Sequence, residues 1–151
     1  MAHTPVDPAR SYEVRVAAKI FLVEDDPTLT RLLQAVLESE GYSCRIFFSP
    51  DQFLSEVGAA DLEVGLHGNL LISDLDFEGS SLSGERWLLE LVRSPLYRKM
   101  PILIHSGRAP ISLDFLGAEG AGRTAAIAQL PKGSDMNQLL GALRNLIVSA
   151  R

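Results

Sequence analysis

The chain has 151 residues, 46% of them hydrophobic and 22% charged, a size and mixture that suit one globular domain with a real core and leave two domains cramped. Its net charge of -5 and pI of about 5.1, with no stretch that concentrates Lys and Arg, speak against direct nucleic-acid binding. The single cysteine, Cys44, excludes an internal disulfide and a cysteine-rich zinc site, and no apolar run approaches the ~20 residues of a membrane span, so a soluble cytoplasmic protein is expected.

Residues 1–17 are polar, contain prolines and lack a period, which reads as a flexible N-terminal tail ahead of a domain over 18–151. "KIFLV", 19–23, is a continuous apolar run of the kind found in strands buried on both faces of a parallel sheet. It ends in "EDDP", where Asp26 and Pro27 read as a helix cap and first helical residue. Leu29, Leu32, Leu33, Val36 and Leu37 then share one helical face until Gly41 stops the helix. "CRIFF", 44–48, is a second strand, and "SPDQFLSEV", 49–57, repeats the cap-then-helix signal with Ser49 and Pro50.

After a long connection, "NLLIS", 69–73, is the third strand, and it finishes on Asp74 and Asp76. "GERWLLELV", 84–92, gives a helix burying Leu88, Leu91 and Val92, and "MPILIHS", 100–106, gives a fourth strand. The stretch 107–124 is Gly-rich and weakly periodic, so its helix is expected to be short or mobile. "AAIAQL", 125–130, is the fifth strand, and Ser134 caps a last helix with Met136, Leu139, Leu140, Leu143 and Leu146 on one face. Alternating strands and helices imply right-handed crossovers and a parallel sheet covered on both faces.

In such a sheet, ligands bind outside the carboxyl ends of the strands. Those ends carry Glu24, Asp25 and Asp26, then Asp74 and Asp76, then Ser106, then Lys132. Taken singly, each has a bland role: a cap for Asp26, loop acids for Glu24 and Asp25, a turn for Ser106, a solvated lysine for Lys132. Together they bring several carboxylates to one edge, which a cation must neutralise, and hard oxygen ligands suit Mg²⁺. A carboxylate beside a metal and a lysine is placed to attack phosphorus, so Asp74 reads as a residue that becomes an aspartyl phosphate.

With "VEDD" after the first strand, "ISDLD" at the third, Gly84 in the following loop, "ILIHSG" at the fourth and "QLPKG" at the fifth, the chain from about Lys19 to Ile147 resembles the receiver domain of two-component response regulators. The resemblance implies a doubly wound (βα)5 flavodoxin-like fold with five parallel strands in the order 2-1-3-4-5. It implies that Asp74 is the phosphoacceptor, taking its phosphoryl group from a histidine kinase or a phosphotransfer protein. Glu24 and Asp25, with Asp74 and the backbone carbonyl of Asp76, would hold Mg²⁺. Ser106 would be the hydroxyl that moves toward the phosphoryl group and Lys132 its ammonium partner. Such a domain assists its own phosphorylation and slow hydrolysis but is a signalling switch rather than an enzyme. It acts on an unknown downstream protein through the face formed by the fourth helix, fifth strand and fifth helix, and leaves a homodimer open.

The departures from the family pattern bear on how the switch works. Most receivers follow the phosphoacceptor with Met-Pro and soon a Gly, whereas "FEGSSLSG" has no proline and is longer. The family lysine usually precedes a proline, but here Pro131 precedes Lys132 and Gly133 follows. Three residues before the lysine, where the family places Tyr or Phe, stands Gln129. Arg108 and Asp76, each two residues past a site residue, match positions that flank the path of the attacking water; either their opposite charges pair across the entrance and affect the lifetime of the phosphorylated state, or both point to solvent. The main alternative is a degenerate receiver serving as a phosphorylation-independent binding module. A phosphatase with an aspartyl nucleophile and a nucleotide binder fit less well. The last helix ends near Ser149 with no output domain after it, which reads as a single-domain regulator or the receiver portion of a longer protein.

Overall fold

The computed structural model describes residues 18–62, 69–121 and 125–149, so the expected tail over 1–17, part of the connection before the third strand, and positions 122–124 lie outside the described residues. The chain runs β1 (Lys19–Val23), α1 (Pro27–Ser39), β2 (Ser43–Phe47), α2 (Pro50–Glu56), β3 (Asn69–Ser73), α3 (Glu85–Arg93), β4 (Ile102–Ser106), α4 (Gly117–Ala121), β5 (Ile127–Pro131) and α5 (Met136–Ser149). The strands form one parallel sheet in the order β2-β1-β3-β4-β5, the doubly wound receiver topology. Among the described residues, no helix is long and apolar enough to cross a membrane.

Side chains alternate across each strand, so every strand feeds two cores. Phe21, Val23, Leu71, Ile102 and Ile104 pack with Phe53 of α2 and with Trp87, Leu88 and Leu91 of α3. Ile20, Leu22, Leu70, Ile72 and Leu103 pack with Leu33 and Leu37 of α1 and with Leu139, Leu143 and Leu146 of α5. Burial on both faces explains why the strands read as unbroken apolar runs. The first core is aromatic: Phe53 meets the rings of Phe47, Phe21 and Trp87 edge-on at 5.3, 5.8 and 5.8 Å, a favoured arrangement of ring quadrupoles.

Local chemistry sets the helix starts. Asp26 accepts from Thr28 N and Leu29 N with Pro27 opening the helix, and Ser49 accepts from Gln52 N ahead of Pro50. The cap of α5 is not Ser134 but Asp135. Its carboxylate accepts from Gln138 N at 2.8 Å, while the Gln138 amide accepts from Asp135 N at 2.9 Å, a reciprocal box that satisfies two amide donors and leaves Ser134 in the turn before it.

Other boundaries and faces differ from the sequence reading. Leu32 is 50% exposed while Leu33 is fully buried, because α1 covers the β1–β2 edge of the sheet and only its central row meets the core. The second strand spans Ser43–Phe47 rather than 44–48, since the Phe48 amide turns to bond the Gln52 side chain at 2.8 Å. The fourth strand starts at Ile102 rather than 100, and the fifth spans Ile127–Pro131 rather than 125–130, set by pairing of Ile102 with Ile127 and Ser106 with Pro131. Pro131 is tolerated in that ladder because β5 is an edge strand with one side unpaired. Among its described residues, the weakly patterned stretch after β4 holds a short turn at Asp114–Leu116 and the five-residue α4.

Candidate functional site

Register brings the acids together. Val23 pairs with both Phe47 and Ser73, so Glu24 and Asp74 leave the sheet at the same level. The ladder runs one rung further: Glu24 N donates to Phe47 O and Asp74 N to Val23 O, both at 3.0 Å. Lys132 N donates to Ser106 O at 3.2 Å, which ties the lysine to the end of β4. Sequence positions as far apart as Glu24 and Lys132 therefore meet at one sheet edge, as the parallel topology requires.

Asp74 is 7% exposed and Glu24 1%, and the Lys132 ammonium reaches both: Nζ lies 2.7 Å from Asp74 Oδ2 and 3.1 Å from each Glu24 carboxylate oxygen. Although Pro131 precedes Lys132 rather than following it, the Lys132 side chain points toward Asp74. Glu24, Asp25 and Asp74 each offer a carboxylate oxygen, and these atoms lie within 4.8 Å of one another. Asp25 is exposed, so the cluster opens to solvent on its side.

The charges leave a clear signature. Burial pushes the Glu24 carboxyl up from 4.5 to about 7; its hydrogen bond to Lys132 pulls the other way, and the Asp74 charge adds to the rise. Burial opposes the Lys132 charge, yet hydrogen bonds from its ammonium to Asp74 and Glu24 prevail and hold its pKa above 10.5. One ammonium for three clustered carboxylates leaves negative charge uncompensated, and that donor set of hard oxygens suits a divalent cation.

Asp74 is held rigidly. Leu75 N donates to its Oδ1 at 2.7 Å, which leaves Oδ2 for the ammonium. Ser106 is 1% exposed, and its hydroxyl accepts from Arg108 N at 3.1 Å, so its own hydrogen can serve an acceptor in the site. Of the two readings of Asp76 and Arg108, the structure shows the pair, Nε to Oδ2 at 2.8 Å, and Arg108 also reaches Glu85 at 2.9 Å. Glu85 is a partner the sequence reading missed; it sits in the first turn of α3, which gave no signal of its own. The two carboxylates raise the Arg108 pKa through hydrogen bonds, Asp76 first.

The longer loop after β3 is anchored away from the site. Ser80 and Ser81 donate to Asp51 at the start of α2, which keeps that carboxyl below its ordinary range. Phe77 N bonds Ser83 Oγ, and Gly84, with φ of 62°, adopts a conformation unfavourable for other residues as it turns into α3. Gln129 points up from β5 beneath the segment after β4 and clasps one residue: Ile111 N donates to its Oε1 at 2.7 Å and its Nε2 donates to Ile111 O at 2.8 Å. Cys44 is half-buried and its thiol is pushed up to about 12 by burial and then by Glu38, consistent with a packing residue.

No family model matches the chain. It is 31% identical over 96 residues to the nitrogen assimilation regulatory protein NtrX of Azorhizobium caulinodans, a match covering 64% of this chain and 19% of that protein. The chemotaxis protein CheY4 of Vibrio cholerae superposes with a TM-score of 0.64 at 20% identity, covering 85% of this chain and 98% of that one. A sensor protein from a Polaromonas species gives 0.68 at 25% identity, covering 89% and 98%. NtrX from Brucella abortus gives 0.67 at 22% identity, covering 89% and 27%. The match spans about a fifth of the length of this curated relative.

The raised Glu24 carboxyl has a consequence for stability. Between pH 4.5 and about 7 the folded chain keeps a proton that the unfolded chain has lost, so this contribution is full below pH 4.5 and is lost as pH rises through about 7. In EDTA, urea unfolding should show stability falling from pH 5 to 8, and Glu24→Gln should remove about 2 kcal/mol of that fall. An unchanged slope in the variant would contradict the assignment.

Proposed function

We propose that this chain, a receiver domain in its fold and in its likeness to response regulators, accepts a phosphoryl group on Asp74 and uses it to switch a protein-binding face. The observation that carries this is Lys132 Nζ at 2.7 Å from Asp74 Oδ2, inside a cluster with Glu24 and Asp25. Burying two carboxylates against each other is unfavourable for stability, and a site that binds a cation and a phosphoryl group gives that arrangement a use.

In the transfer, Asp74 Oδ2 attacks phosphorus and the P–N bond of a donor phosphohistidine breaks, its electron pair staying on the imidazole, which takes a proton from solvent. The donor belongs to a histidine kinase or a phosphotransfer protein. Glu24, Asp25 and Asp74, with the backbone carbonyl of Asp76, would hold Mg²⁺, which when bound neutralises oxygens of the transferring group. Lys132 turns from neutralising carboxylates to neutralising a phosphoryl oxygen without leaving its place. Ser106 donates its hydroxyl hydrogen to another. The same residues favour hydrolysis in time, so the domain resets itself and acts as a switch.

The output runs through the segment after β4. That segment hangs from Ser106, whose hydroxyl and carbonyl accept from Arg108 N and Ala109 N, and from Gln129, which grips Ile111. A Ser106 hydroxyl recruited to a phosphoryl oxygen pulls on this loop, and the Gln129 clasp replaces aromatic rotation as the element that yields. The face built from α4, β5 and α5 is then what a downstream protein reads. Arg108, held by Asp76 and Glu85 at the rim, narrows the path of the water that hydrolyses the aspartyl phosphate.

Three measurements test this reading. Intact mass at mild pH, after incubation with Mg²⁺ and acetyl phosphate, should show one added phosphoryl group that disappears in Asp74→Asn and without metal; an unmodified wild type would overturn the proposal in favour of a phosphorylation-independent binding module. Hydrogen exchange at the Ile111 amide should speed up on adding a beryllofluoride phosphate mimic, whereas equal exchange with and without it would rule out the clasp as the output element. Arg108→Ala should shorten the life of the phosphorylated form by about two- to fivefold, the effect of an exposed ion pair on a barrier; an unchanged rate would remove Arg108 from that role.

A further inference from the structure

Behind the acid–lysine cluster lies a buried polar relay that ends on the backbone of Asp74. Trp87, fully buried in α3, donates its indole Nε1–H to Ser73 Oγ at 2.9 Å. The Ser73 hydroxyl, itself 1% exposed, donates to the backbone carbonyl of Asp74 at 2.7 Å. The peptide unit that carries this carbonyl is the one whose N–H, on Leu75, holds Asp74 Oδ1 at 2.7 Å. A single rigid plane thus receives a hydrogen bond at its oxygen from the core and delivers one at its nitrogen to the phosphoacceptor.

We propose that Ser73 and Trp87 are positioning residues for phosphoryl transfer, a role that rests on the phosphoacceptor reading of Asp74. The peptide plane is planar by resonance, so fixing its carbonyl fixes its N–H. With Oδ1 tied to that N–H, the carboxylate cannot spin, and Oδ2 is the oxygen presented beside Lys132. Serine alone would leave its hydroxyl free to rotate among several acceptors. The indole N–H occupies its lone pair and turns its hydrogen onto the Asp74 carbonyl, and bonds in such a chain polarise one another. Neither side chain reaches solvent or the donor, so their effect is confined to the aim of the nucleophile.

The test exploits Trp87 being the only tryptophan in the chain. Replacing it biosynthetically with benzothienylalanine, which keeps the ring shape and lacks the N–H, should slow acetyl phosphate transfer to Asp74 by about threefold, and Ser73→Ala should slow it by about threefold to tenfold, the worth of one or two hydrogen bonds. Both losses should appear in the rate at saturating phosphodonor, per folded molecule, and not in the donor concentration giving half the maximal rate. Ser73→Thr, which keeps the hydroxyl, should restore most of the rate. Wild-type rates in the benzothienyl protein, or a loss only in half-saturation, would overturn the proposal while leaving Asp74 as phosphoacceptor. A wild type that takes no phosphoryl group would instead overturn the reading beneath it.

Discussion

Two buried carboxylates share one ammonium, and that constraint organises the rest of the molecule. Removing Glu24 and Asp74 from water is unfavourable, and their mutual repulsion adds to it. Lys132 offsets part of this with bonds to both, but it cannot balance the third acid, Asp25, at the mouth of the cluster. The site therefore rests in a state that favours the arrival of positive charge, and a protonated Glu24 stands in for it at lower pH. The core tolerates this because sheet register, not side-chain attraction, brings the acids together.

The site is joined to its surroundings by bonds of two kinds. Toward the solvent, Arg108 bridges Asp76 at the end of β3 and Glu85 at the start of α3, an exposed contact of modest strength that is easily rearranged. Toward the sheet, Gln129 bonds one residue, Ile111, through both its amide oxygen and its amide nitrogen, a half-buried clasp. An aromatic ring at this position would be held by packing alone and could swing between two wells. An amide is held by directional bonds, so loop and strand stay attached until both bonds are exchanged for others. The acid–lysine cluster and the connection from site to surface thus rest on bonds of different physical character.

Behind Asp74 the aromatic core continues into the site. Trp87 packs edge-on against Phe53, which in turn meets Phe21 and Phe47, and its one polar atom is spent on Ser73. A buried indole needs a partner for its N–H, and a buried serine needs a partner for its hydroxyl. Their pairing satisfies both and ends on the Asp74 carbonyl. The rigidity of a close-packed core is in this way passed to a single carboxylate.

Much of this was legible in the sequence because it depends on neighbours in the chain. Strands buried on both faces must be apolar throughout, so β1, β3 and β4 announce themselves, and Asp26 with Pro27 or Ser49 with Pro50 caps a helix through atoms two or three residues away. The acids, hydroxyl and lysine at strand ends were readable for a related reason: a parallel sheet delivers every carboxyl end to one edge. Tertiary structure alone decided what depends on distant partners. Leu32 and Leu33 look alike in the helical pattern, and only the reach of α1 over the sheet separates them. Asp135 rather than Ser134 caps α5, because the Gln138 side chain completes a reciprocal pair with it. The aim of Lys132, the grip of Gln129 on a residue 18 positions away and the relay from Trp87 to Ser73 across 14 positions are contacts between segments. Hydrogen-bond geometry is set by how whole elements pack, and a linear pattern carries that only as the presence of a suitable side chain.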